Sequence, residues 1–107
     1  MIHRGDFVVV SLQGSYGKPR PALVIQSDLL NELDSVLICP VTSEIRDVTF
    51  RIIVEPDTLN GLQALSQIMV DKVATVPRSK AGPAFGRLSA DKMRAVERTL
   101  LVVVGIA

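Results

Sequence analysis

From Phe7 to Leu88 short β-branched and aliphatic segments alternate with polar, glycine- or proline-containing stretches. Such segments suit strands rather than helices of several turns. Phe7–Leu12 is the first, following Gly5-Asp6. Gln13–Pro19, with two glycines and a proline, reads as a loop. Pro21–Gln26 is the second strand, with Pro21 at its start, where a missing N–H costs little. Asp28–Asn31 fits one helical turn capped by Ser27 or Asp28. Ser35–Val41 is the third strand. Thr49–Val54 alternates, with Phe50, Ile52 and Val54 on one face. Glu55–Gly61 is a turn, Leu62–Val70 and Lys72–Val76 are further strands, and Pro77–Gly86 is a loop with a short strand at Phe85–Leu88.

The pattern changes at Ser89. This residue is a good N-cap, and Asp91 places a negative charge in a first helical turn. Apolar residues then recur at Met93, Val96, Leu100 and Val103 until Gly105 ends the run. The expectation is a single domain, 1–107, mainly β (α+β): a small barrel or sandwich of five to seven short strands with a C-terminal α-helix covering it. Val8, Val10, Val24, Ile38, Val54, Met93, Val96 and Leu100 are the expected core. Aromatics make up only 4% of the chain, so aliphatic residues must build that core. A thin core of this kind favours a homodimer.

Several function classes fall away. A net charge of +1 gives no general nucleic-acid affinity, so any RNA site must be a local cluster. Cys39 is the only cysteine and His3 the only histidine, which leaves no internal disulfide, no cysteine-knuckle zinc site and no two-histidine ribonuclease. Cys39 lies in an apolar run and reads as an inert buried thiol. No phosphate-binding glycine loop before a helix and no zinc-protease motif occurs. No metal and no cofactor are expected. Charges interrupt the N-terminus before any signal-like apolar region, and no apolar run approaches the ~20 residues that span a membrane. The expected location is cytoplasmic.

Two units carry possible chemistry. Arg20 stands between Pro19 and Pro21, and residues before proline are held extended. A stiffly held guanidinium can clamp a phosphate, or it can be a surface arginine between turn prolines. Thr42-Ser43 puts two hydroxyls at a strand end, where they can meet a ligand or bond their own backbone.

Taken in order, these blocks resemble one family. Arg4-Gly5-Asp6 with the valines that follow, the glycine-containing loop, Arg20-Pro21-Ala22-Leu23-Val24-Ile25 with Asp28 and Asn31, Pro40-Val41-Thr42-Ser43, Ser66-Gln67-Ile68 and Gly86-Arg87-Leu88 resemble the MazF/PemK toxins over nearly the whole chain. The resemblance implies an SH3-like barrel (the CcdB/PemK superfamily fold) and a homodimer. It implies a metal-free endoribonuclease that cuts single-stranded RNA at a short sequence, and an antitoxin whose acidic, disordered tail wraps it. Arg20 and Thr42 match the family's catalytic arginine and threonine. Tyr16, Lys18, Ser43, Ser66 and Gln67 are the candidate substrate-binding positions.

This chain also departs from the family. Many members have an acidic residue where Ser66 stands, some a basic one at Met69, and some PemK-like members an arginine near Ala64. An alternative is a CcdB-like gyrase poison, suggested by Val104-Gly105-Ile106 at the C-terminus, although the chain has no tryptophan to serve as that family's anchor. A third reading is a catalytically inactive module that binds only an antitoxin.

Overall fold

The computed structural model describes residues 1–11 and 18–107. Among these, the elements in chain order are β1 (Asp6–Ser11), β2 (Pro19–Val24), β3 (Ser35–Thr42), β4 (Arg51–Val54), β5 (Ser66–Met69), β6 (Ala74–Pro77), β7 (Gly86–Arg87) and α1 (Ala90–Val103). The strands form one antiparallel curled sheet in the order β4-β5-β3-β2-β1-β7, and β6 pairs with β3. The end strands β4 and β7 do not meet in this order, so the sheet is a half-barrel. No helix among the described residues is long and apolar enough to cross a membrane.

The continuous apolar runs follow from burial on both faces. Phe7, Leu23, Cys39 and Val41 turn to one side, where Met93 and Val96 of α1 join them. Val8, Val10, Ala22, Val24, Val36 and Ile38 turn to the other side, which the curl closes with Val76 of β6. A sheet covered on both faces needs no polar alternation. Seven of the eight expected core residues lie in these two clusters, and the eighth, Leu100, is half-buried against the first.

β3 is the axis of the sheet. Its first half pairs with β6 through Ser35–Ile38, and its end pairs with β5 through Val41 and Thr42. Pro40 lies between the two. The Leu37 carbonyl accepts from Ile25 and Gln26 N–H, and Leu37 N–H donates to Gln26 Oε1, so Leu37 turns its polar groups toward the β2 edge. Alternation along the strand turns Pro40 nitrogen to the opposite edge, at the seam where β6 hands over to β5. A proline there removes no ladder bond.

Some expected boundaries shift. Of Leu62–Val70, only Ser66–Met69 is strand, and Val70–Lys72 tightens into a 3-10 turn. Lys72–Val76 moves to Ala74–Pro77, and the second strand begins earlier, at Pro19. Phe50 does not share a face with Ile52 and Val54, because its φ of 70° makes it a turn residue before β4. Such a φ is unusual for a bulky side chain. Of the expected loop Gln13–Pro19, residues 13–17 lie outside the described residues, as does Leu12 of the first expected strand.

Helix α1 begins and ends as its sequence indicates. Ser89 Oγ accepts from Lys92 N–H. At the far end Gly105, with φ 84°, donates to Val102 O while Ile106 N–H donates to Leu101 O. This paired bonding is the Schellman stop.

A buried asparagine fastens the loop before β5. Asn60 is 2% exposed. Its Oδ1 accepts from Asp57 and Leu62 N–H, and its Nδ2 donates to Glu55 O. Beside it, a Cβ on Gly86 would lie 2.0 Å from Asn60 O, whereas one on Gly82 would meet nothing nearer than 3.4 Å. Gly86→Ala should therefore cost about 1–3 kcal/mol or more of stability, and Gly82→Ala within about 0.5 kcal/mol. Denaturant unfolding of the two variants checks this, and equal midpoints would contradict it.

Candidate active site

One cleft of about 530 Å³ gathers most of the sequence candidates. Its lining includes Arg20, Thr42, Ser43 and Ser66. The β2–β3 register explains the meeting. Ala22 pairs with Pro40 and Leu23 with Cys39, and Arg20 and Thr42, each two residues beyond the last pair of this ladder, both reach the cleft. Val10 lies on the other side of Arg20. Neighbouring rows of a pleated sheet point to opposite faces. Val9 opposite Pro21, with Val41 next in line, thus forms an apolar row inside the cleft, and Arg20 and Thr42 meet it from the edge.

Arg20 is exposed and, among the described residues, pairs with no carboxylate. It is also the only charged side chain among the described residues that line the cleft. An unpaired guanidinium keeps its five donors for an anion. Thr42 is half-buried, and its Oγ1 accepts Glu44 N–H at 3.0 Å. A hydroxyl has one proton and two acceptor sites, so this backbone bond leaves the Thr42 O–H free to donate. The turn-forming role and the ligand role coexist in one side chain. Ser66 is 5% exposed and donates to Ala64 O at 2.8 Å, so toward the cleft it offers lone pairs rather than a proton.

The other candidates stand elsewhere. Gln67 is buried at 3% exposure and spent on a single residue: its Oε1 accepts Arg46 N–H and its Nε2 donates to Arg46 O. It fastens the loop after Ser43 and does not line the cleft. Lys18 is exposed one residue before β2, outside the lining. Tyr16 lies outside the described residues. Of the two loop carboxylates near Thr42, Glu44 pairs with Arg46, and neither Glu44 nor Asp47 lines the cleft. Burial, reinforced by the Asp71 charge, pushes the Cys39 thiol up from 9.0 to about 12. A thiol held protonated in this way is no nucleophile.

Sequence reasoning missed the opposite wall, formed by Gly61–Ala64 and Phe85. The Asn60-Gly61 turn signal was its only trace. Gly61 has φ 66°, and a Cβ there would lie 2.7 Å from Phe85 O, so the turn and Phe85 fit only around a glycine.

The other blocks of the pattern prove to be fasteners. Arg4 pairs with Glu97 of α1 at 2.9 Å. Gly5, at φ 93°, donates to Val24 O. Asp6, 5% exposed, pairs with Arg87 and accepts His3 N–H. Asp28 accepts Arg4 N–H at 2.9 Å, and Ser27 caps the 3-10 turn at Asp28–Leu30.

Comparison with known proteins shows the family. The family of PemK-like, MazF-like toxins of type II toxin–antitoxin systems matches residues 3–104. A protein of Mycolicibacterium smegmatis named as a probable endoribonuclease MazF is 43% identical over 108 residues, covering 99% of each chain. Among solved structures, an endoribonuclease in complex with its cognate antitoxin, from a mycobacterial species, superposes with a TM-score of 0.84 at 17% identity, covering 100% of this chain and 98% of that one. A MazE–MazF complex of Deinococcus radiodurans gives 0.79 at 25% identity, covering 99% and 97%. With a match across nearly its whole length and a relative of this identity, the chain belongs to the PemK-like, MazF-like toxins of type II toxin–antitoxin systems.

Proposed function

We propose that this toxin is an endoribonuclease that cuts single-stranded RNA without a metal ion, with Arg20 and Thr42 at its centre. The observation that carries the reading is that an unpaired arginine and a hydroxyl free to donate line the same cleft, on two strands that pair with each other. The name of the relative at 43% identity supports the same activity.

The chemistry follows from RNA itself. The 2′-OH attacks the adjacent phosphorus as the bond to the 5′-oxygen of the next nucleotide breaks, leaving a 2′,3′-cyclic phosphate and a 5′-OH. Negative charge grows on the phosphoryl oxygens. Arg20 stabilises that charge and Thr42 donates a hydrogen bond to it. An arginine remains protonated at any working pH, so its role is electrostatic rather than that of a base.

The functional unit is a homodimer, as the exposed apolar end of the chain supports: Leu101, Val102, Val104 and Ile106 are 42–75% exposed. The antitoxin's acidic tail suits a cleft whose one charge is positive. The site of action is the cytoplasm, where RNA is available.

Arg20→Ala should lower cleavage of single-stranded RNA in EDTA by about 10²–10³-fold without changing the melting temperature. Cleavage at the wild-type rate by that variant would remove Arg20 from the mechanism. RNA left intact by the wild-type chain would select the CcdB-like gyrase poison if gyrase-dependent DNA breaks appear, and the module that binds only an antitoxin if they do not. Excess antitoxin tail added to the same assay should suppress cleavage, and undiminished cleavage would contradict its docking in the cleft. Sedimentation should give twice the 11.6 kDa chain mass, and a monomer at micromolar concentration would contradict the dimer.

A further inference from the structure

We infer that Phe85 is the stacking platform for a nucleobase next to the scissile phosphate, an inference that rests on the endoribonuclease reading above. The aromatic inventory of this chain is small, with three phenylalanines, one tyrosine and no tryptophan. Phe85 is a wall of the same cleft whose edge carries Arg20 and Thr42. It is 38% exposed.

Its ring is held from behind. The centroid lies 6.1 Å from that of Phe7 with the planes 25° apart, and Phe7 is fully buried. Its backbone is held as well: Phe85 N–H donates to Phe7 O at 2.9 Å. On its other flank Phe85 packs against a glycine, since a Cβ at Gly61 would lie 3.1 Å from Phe85 Cδ1. A ring fixed in this way meets a ligand without losing side-chain freedom on binding.

The surroundings fit a base. Val9, Pro21 and Leu62 make the adjoining surface apolar, and the exposed amide of Gln63 offers both a donor and an acceptor to a base edge. The cleft volume of about 530 Å³ falls in the range of roughly 300–1,000 Å³ that holds one small ligand. It therefore suits a single nucleotide unit. Phosphate at the edge with Arg20 and base inside against Phe85 matches the polarity of a nucleotide to that of the cleft. Phe85 is thus a binding residue and takes no part in the bond changes.

The test uses the full-length protein and an RNA oligonucleotide carrying its mapped cleavage site. A 2′-deoxy sugar at the scissile position prevents cutting, and 2-aminopurine replaces each flanking base in turn. Wild-type protein should quench the fluorescence at one position. Phe85→Leu should abolish that quench and weaken binding about 10–100-fold. KM on the cleavable RNA should rise by a similar factor, with kcat within about threefold. Phe85→Tyr should restore both quench and affinity, which a merely structural role would not predict.

Unchanged Kd and KM for Phe85→Leu, with Arg20→Ala inactive, would overturn the stacking role and leave the nuclease reading intact. Lower kcat and melting temperature in both Phe85 variants would overturn it in favour of a packing role. Weaker antitoxin binding with RNA binding intact would also overturn it. Failure of the wild-type protein to cut any RNA would overturn both readings together.

Discussion

The pairing register of β2 on β3 is the constraint on which the rest depends. It aligns Leu23 with Cys39 and Val24 with Ile38, both pairs buried, and so is fixed by two cores at once. A slip of one residue would exchange the two faces and expose both sets. The same two strands, beyond their last paired residues, bring Arg20 and Thr42 to the cleft. The position of the candidate site is therefore a by-product of core packing. Pro40 marks where β3 changes partners, and two residues later the strand ends at the candidate threonine.

The far side of the cleft depends on a different device. Asn60 satisfies backbone groups across its turn, and the tight approach of Gly86 and Gly61 clamps that turn to Phe85. One wall comes from strand pairing and the other from a hydrogen-bonded loop. The first is set by burial of many side chains. The second hangs on a few polar contacts that replace water bonds, each worth about 0.5–1.5 kcal/mol net. Substitutions near Asn60 should thus act on substrate fit more than on the Arg20–Thr42 pair.

Much of this was legible in the sequence. The strand segments, the helix with its Ser89 cap and Gly105 stop, and the core valines followed from spacing alone, because burial and capping are local demands. The boundary errors have a common cause. Leu62 and Ala64 are apolar yet line a cleft rather than entering the sheet, and Phe50 is apolar yet sits in a turn. Periodicity cannot tell a strand from a loop that buries apolar side chains. Gln67 looked like a ligand-binding amide because its position matched a family pattern, and the fold spends both of its polar atoms on Arg46. Phe85 gave no signal, since a lone aromatic beside a glycine carries no period. Its importance depends on contacts with Phe7 and Gly61, which are remote in sequence.

Among the polar residues of the pattern, Arg4, Asp6, Gln26 and Asp28 tie elements together. Arg20 and Thr42 are left free for a ligand. In the proposed mechanism the stabilisation of a phosphate falls on Arg20 and Thr42 together. Groups that act together on one transition state lose most of their effect when either is removed. A double-mutant cycle of Arg20→Ala and Thr42→Val on kcat/KM for single-stranded RNA tests this most directly. The account predicts that the double variant is scarcely slower than the slower single variant. Independent, multiplying losses would contradict it.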